Sequence, residues 1–293
     1  MTTGSSSGSI VLAVAALGCG ASSAAASFHL MQIEQVIGGV NEDVTAQAVQ
    51  LRMRSAGQGQ LQFSRLRVFD AAGMNPVLLI DLDDSVFVVA AGSRILVASP
   101  NFAQYTSPPV VPDFTMTNLI PASYLLAGSL TFEDDSGTVY WRLSWGGTGY
   151  TGSNLGDSTN DDDSPQGDFG PPIATEMFFG SLQAVFLTGS ASDPSTSNFK
   201  DYTFTADRAV FQNNAGASVT VINRPVPGDL DDDQDFDLED YFYIFPCIVG
   251  PDVTNVPNEC GTEDFAKLDL DGDGDVDLED VAEILLSFTG PNP

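Results

Sequence analysis

The sequence predicts a mainly β protein. An N-terminal antiparallel β-sandwich is followed by a small α-helical module built on two acidic loops. Three observations carry this reading. Short segments of alternating apolar and polar residues run through residues 27–222. Clusters of Gly, Asn, Asp, Ser and Pro separate them, as turns do in sandwiches. One acidic phrase of twelve residues, beginning at Asp229, returns at Asp269.

The chain has 293 residues, 43% of them apolar and 10% aromatic, enough to build a core. Forty acids against 10 bases give a net charge of −30. That balance excludes nucleic acid and anionic membranes as partners, because both require a basic face. The charge is uneven. From Pro225 onward there are 20 acids and one base, Lys267, a net of −19. A segment so charged repels itself unless cations neutralise it, which couples metal binding to folding.

Residues 1–26 read as a signal peptide, although the first residues carry no Lys or Arg. The run Ile10–Leu17 is apolar but too short to span a bilayer, and Ala24-Ala25-Ala26 fits a small-x-small cleavage site. Export to the extracellular space or the cell surface follows. Cys19 loosely resembles a lipoprotein box. Past the signal only Cys247 and Cys260 remain, and in an exported chain an even pair reads as a disulfide. Closing so short a loop contributes about 3 kcal/mol in the chain-entropy account.

Residues 27–222 form the predicted β-domain. Val49, Leu51 and Met53 alternate with Gln50, Arg52 and Arg54, the pattern of a half-buried strand. Val139, Trp141, Leu143 and Trp145 alternate with Tyr140, Arg142 and Ser144. Further strands are expected at 28–36, 61–69, 77–82, 86–90, 94–98, 124–132, 177–187, 209–212 and 218–222. Asp134-Asp135-Ser136-Gly137 separates two apolar runs as a hairpin turn does. No amphipathic helix is expected before residue 225. Two packed antiparallel sheets satisfy this pattern. Residues 223–227 are a stiff, proline-containing linker to the last module, residues 228–293.

Calcium takes about six to eight oxygens, and an EF-type loop supplies them from its first, third, fifth, seventh, ninth and twelfth places. In the second copy these are Asp269, Asp271, Asp273, the carbonyl of Asp275, Asp277 and Asp280. Gly274 holds the sixth place, where φ is positive. The first copy offers Asp229, Asp231, Asp233, the carbonyl of Asp235, Asp237 and Asp240. Its sixth place is Gln234, which costs about 1 kcal/mol in a left-handed conformation. Two calcium ions are therefore expected, the tighter one at 269–280. Phe236 and Val276, the eighth residues, are apolar and can pair. Helices follow both loops, with apolar stripes at Leu238, Tyr241, Phe242 and Phe245 and at Leu278, Val281, Leu285 and Phe288. The unit reads as loop plus helix, twice.

Two tandem loops with Asp at the twelfth place resemble a dockerin type I doublet, over about residues 228–291. That resemblance implies an EF-hand-like calcium module that docks onto a cohesin-like or other surface protein, typically in polysaccharide catabolism. The tenth and eleventh places, which the family uses for recognition, are here Leu238-Glu239 and Leu278-Glu279. Within the β-domain, Ile33–Val36, Ala48–Leu51, Ile95–Ala98 and Gly137–Gly147 resemble successive strands of lamin-tail-like domains. This likeness implies an immunoglobulin-like sandwich.

Signatures of catalysis are sparse. The one histidine, His29, excludes most His-dependent triads and two-His metal sites. The expected function is a secreted, non-catalytic β-sandwich carrying a calcium-dependent docking module. The alternative is a polysaccharide-active enzyme using two carboxylates of the set Asp81, Asp83, Asp84, Glu133, Asp134 and Asp135. Trp141 and Trp145 fit a core face; a sugar-stacking platform is the competing use. Asp157, Asp161, Asp162, Asp163 and Asp168 fit a solvated loop or a further cation site.

Overall fold

The computed structural model describes residues 1, 4, 27–161, 167–177, 180–224, 229–230, 236 and 238–286, with Glu263 described by its backbone only. The expected signal peptide apart from residues 1 and 4, with its Cys19, linker residues 225–227, Asp162 and Asp163 lie outside the described residues. So do the first-loop residues Asp231, Asp233, Gln234, Asp235 and Asp237, and Phe288.

The chain is mainly β, as its alternation requires. Its strands are β1 (Met31–Ile37), β2 (Ala48–Met53), β3 (Ser64–Phe69), β4 (Val77–Leu82), β5 (Arg94–Ala98), β6 (Thr106–Ser107), β7 (Phe114–Thr115), β8 (Gly128–Asp134), β9 (Val139–Trp145), β10 (Val185–Leu187), β11 (Tyr202–Phe204), β12 (Val210–Gln212) and β13 (Ser218–Val221). They form a six-stranded sheet in the order β11-β10-β1-β2-β5-β7, a four-stranded sheet β4-β3-β8-β9 and a small sheet β12-β13-β6. Pairing is antiparallel except between β5 and β7. Before the acidic module the described α-helices are single turns, α1 (Ala122–Leu125) and α2 (Asn198–Asp201).

The six-stranded sheet lies between the other two. One face, with Met31, Ile33, Val49, Leu51, Ile95 and Val97, packs against Leu66, Val68, Leu130, Phe132, Trp141 and Leu143 of the four-stranded sheet. Its other face meets the small sheet through Ala48, Leu96, Ala98, Phe211, Val219 and Val221. A third layer therefore joins the expected two. For the same reason β2 is buried along its whole length, not half-buried. Segment 86–90 is a loop whose Val86 and Val89 pack against the first core.

Trp141 and Trp145 are core residues, which removes the sugar-platform reading. Trp141 Nε1 donates to Tyr202 Oη at 2.7 Å, and Tyr202 donates to the carbonyl of Ile33. This chain of bonds crosses the core from β9 to β1 and satisfies the polar tips of two buried aromatics. At the hairpin, Gly137 takes φ 95°. Burial pushes the Asp134 carboxyl up, but donors from Ser136, Thr138 and Tyr140 outweigh it and hold it at about 2.

Two buried glutamates of the β-domain are neutralised internally. Glu34 accepts from both Arg52 and Arg94, at 2.8 and 2.7 Å, and from Gln50. A β-bulge after Ile33 sets Glu34 and Gln35 on the same face, toward the small sheet, where Gln35 donates to the Val210 carbonyl. Glu133, fully buried, sits between Arg65 and Arg67 at 2.6 and 2.5 Å.

Past residue 229 the described helices are α3 (Leu238–Ile244), α4 (Thr262–Leu268) and α5 (Leu278–Leu286). They close a third apolar cluster with Leu230, Phe236, Ile244, Cys247, Phe265, Leu268, Val276 and Ile284. Helix α4 precedes the second acidic stretch, so that copy is helix–loop–helix rather than loop plus helix. Cys247 and Cys260 are bonded, with their Cα atoms 4.9 Å apart. No described helix is long and apolar enough to cross a membrane.

Candidate cation site

The second acidic stretch carries the most complete donor set. Asp269, Asp271 and Asp273 bring one carboxylate oxygen each within 4.8 Å of one another, and Asp275, Asp277 and Asp280 do the same. Gly274 turns the chain at φ 94°, as the sixth place requires. Amides then fold back on the carboxylates. Gly274 N–H donates to Asp269, Asp273 N–H to Asp271, Asp275 N–H to Asp273, and Asp277 N–H to Asp280.

Asp280, 1% exposed, is the anchor. Its Oδ1 accepts from the Leu270 amide at 2.8 Å, ten residues back. The first copy repeats the contact, with Asp240 Oδ1 accepting from Leu230 at 2.6 Å. Asp240 is equally buried. The eighth residues, Phe236 and Val276, belong to one cluster. Two corresponding positions thus perform the same task in both copies. Asp229, Leu230, Phe236, Leu238, Glu239 and Asp240 are the described part of the first loop.

The donor set fits a hard cation, because all six side chains offer carboxylate oxygen. A physical deficit points the same way. Oδ1 of Asp269 and Oδ1 of Asp275 are buried and find no hydrogen-bond partner among the described residues. Burying such an oxygen without a partner is costly. At Asp271 the Asp273 amide favours the ionised form, but burial and the charges of Asp273, Asp280 and Asp269 prevail and push the carboxyl up. Asp275 is raised chiefly by burial, then by Asp273, Asp277 and Asp280. A cation held among these oxygens would relieve both.

Most residues of the two apolar stripes are exposed, while Val281 packs against the third cluster. Leu238, Phe242 and Leu278 are 68%, 77% and 76% exposed, and Tyr241, Phe245 and Leu285 are also exposed. The inward residues are Asp240 and Ile244 on α3, and Asp280 and Ile284 on α5. The twelfth-place carboxylate sets the phase: it must turn inward to the loop amide, and the residue four later shares its side. Sequence periodicity identified the helices but left open which of their faces meets the core.

Sequence reading also missed the segment between the copies. Val249 and Gly250 donate their amides to the Val276 carbonyl at 2.9 and 3.4 Å. The Asp252 amide donates to Oδ2 of Asp275 at 2.6 Å. The seventh residue was expected to act through its carbonyl, yet its carboxylate is the group held in place.

Several of the other carboxylates, Glu133, Asp134, Asp157 and Asp168, have structural work. Glu133 is committed to two arginines, so it is not a free partner for Asp135 in glycoside chemistry. Asp157 accepts from the amide of Thr159, and Asp168 accepts from Gly170, as loop carboxylates do. No protein-family model and no curated protein sequence matches the chain, so its own geometry carries the functional reading.

Proposed function

We propose that the chain is an exported protein whose non-catalytic β-domain is attached to a partner by a calcium-binding, dockerin-like C-terminal module. Two calcium ions occupy the loops at 229–240 and 269–280. The β-domain is read as an immunoglobulin-like, lamin-tail-like sandwich with an added small sheet. The partner is a cohesin-like or other protein at the cell surface or in an extracellular complex.

One observation carries docking: Leu238, Tyr241 and Phe242 of α3 and Leu278, Leu285 and Leu286 of α5 are exposed, while Ile244, Val281 and Ile284 pack on the module's own core. Leu238 and Leu278 occupy the same place in the two copies, and both are mostly exposed. Exposed apolar clusters of this kind are rare on monomers without a binding role. The net charge of −19 past Pro225 selects a partner whose apolar surface is rimmed by bases. Calcium would connect the two features, since Asp240 and Asp280 both face the loops and set the helix phase.

The test uses the full chain as bait against the extracellular fraction of its host. A partner retained with calcium, released by chelator and lost in Leu238→Ser/Leu278→Ser supports docking. Retention that ignores both chelator and substitution would rule it out.

A further inference from the structure

The segment between the acidic copies is closed on itself by Cys247–Cys260 and laid against the second loop. Its backbone is turned there by Gly250 at φ 98° and by Asp252 at φ 63°. A non-glycine residue at positive φ is uncommon and costs about 1 kcal/mol, so the surrounding contacts must hold it. The contacts are the three amides of Val249, Gly250 and Asp252, two on the carbonyl of Val276 and one on the carboxylate of Asp275. Thr254 Cγ2 lies 3.7 Å from the position a Cβ on Gly274 would take.

The consequence falls on Asp275. It is 2% exposed. One of its oxygens is fixed by the Asp252 amide, and the other has no partner among the described residues. A carboxylate oxygen of Asp275 also stands within 4.8 Å of ligand atoms of Asp277 and Asp280. Without the clamp, a buried carboxylate among so many others would turn out to water.

We propose that the disulfide-closed segment 248–259 is a positioning clamp that makes the Asp275 carboxylate an additional ligand, so that cation affinity at 269–280 depends on the Cys247–Cys260 bond. This rests on the calcium reading above. Asp252 acts through Asp275 and need not touch the ion. Reducing the bond converts one disulfide and two reducing equivalents, from a thiol or phosphine, into two thiols. That frees the segment and releases Asp275.

The experiment is calorimetric titration of the full chain with calcium alone, oxidised and after phosphine reduction, alongside Asp275→Asn in both states. A hydrogen bond to a charged group is worth enough that reduction should weaken one binding step at least about tenfold. Asp275→Asn should weaken the same step and be insensitive to reduction, since the clamp's target is gone. Equal affinities in the oxidised and reduced wild type overturn the clamp while leaving the cation site standing. A tenfold loss on reduction of Asp275→Asn also overturns it, because the disulfide would then act on the module's fold. No uptake by the oxidised wild type overturns the calcium reading and the clamp with it.

Discussion

The β-domain and the acidic module treat buried carboxylates in opposite ways. In the β-domain, Glu34 meets Arg52 and Arg94, and Glu133 meets Arg65 and Arg67. In the module, Asp269 and Asp275 each keep a buried oxygen with no partner among the described residues. Apolar side chains divide similarly. Both tryptophans of the β-domain are fully buried, whereas Leu238, Phe242 and Leu278 of the module face out. The β-domain pairs these two buried glutamates internally, although it too exposes single apolar side chains such as Phe87 and leaves Ser197 Oγ and Asn198 Oδ1 buried with no hydrogen-bond partner among the described residues. The module concentrates buried carboxylate oxygen and exposed apolar surface on two loops and their helices, which the proposed function assigns to a cation and a partner.

The largest effect should come from breaking the glutamate pairing of the β-domain. Glu34→Ala strands two arginines against the middle sheet, and removing one member of a buried ion pair costs about 3–5 kcal/mol. Urea unfolding followed by tryptophan fluorescence reports on the β-domain, because Trp141 and Trp145 both lie in its core. Calcium uptake should be untouched. If Glu34→Ala abolishes uptake, the two regions are not independent in the way the comparison requires.

A smaller effect is expected in the acidic module. Asp280→Asn keeps an oxygen for the Leu270 amide but removes a charge from the loop. Calcium affinity should fall by about tenfold or more, the order expected for one charge-assisted contact. The midpoint of β-domain unfolding should stay put. Unchanged affinity would mean that Asp280 is only a helix cap.

Asp134→Asn tests internal closure at the surface. The ordinary value of its carboxyl is 3.8, and the fold lowers it to about 2. A lowered carboxyl stabilises the fold above its unfolded value, and that contribution fades as pH falls from 3.8 toward 2. The substitution should therefore cost about 1 kcal/mol at neutral pH, given partial exposure, and almost nothing near pH 2. Equal costs at both pH values would show that the charge of Asp134 is irrelevant to the hairpin.

The smallest expected change is also informative. Phe242→Ser on the exposed side of α3 should alter stability by less than about 0.5 kcal/mol. A loss of several kcal/mol would place Phe242 in a core and remove the exposed face on which docking rests.

Much of this was legible in the sequence. Strands β2 and β9 follow directly from alternation, β4 and β5 from short apolar runs between turn clusters, and the hairpin between β8 and β9 from Asp134–Gly137. Strands β6, β7 and β11 escaped because two or three residues are too few to express a period. The third layer escaped because Gln50 and Arg52 look solvated in sequence, while Glu34, Arg94 and the small sheet bury them. In the module, residue spacing located the carboxylates, and the even cysteine count located the disulfide pair. It could not set the phase of α3 and α5, because that depends on Asp240 and Asp280 turning inward to amides ten residues back. Nor could it find the clamp, whose contacts are made by backbone amides and leave no mark in side-chain pattern.

Cation binding should order the acidic module and leave the β-domain unchanged. Hydrogen exchange read by mass spectrometry over the whole chain tests it most directly, once with millimolar calcium and once with chelator. The account predicts that peptides within 229–286 exchange much more slowly with calcium, while peptides within 27–224 exchange at the same rate in both. Equal exchange of 229–286 with and without calcium would contradict it.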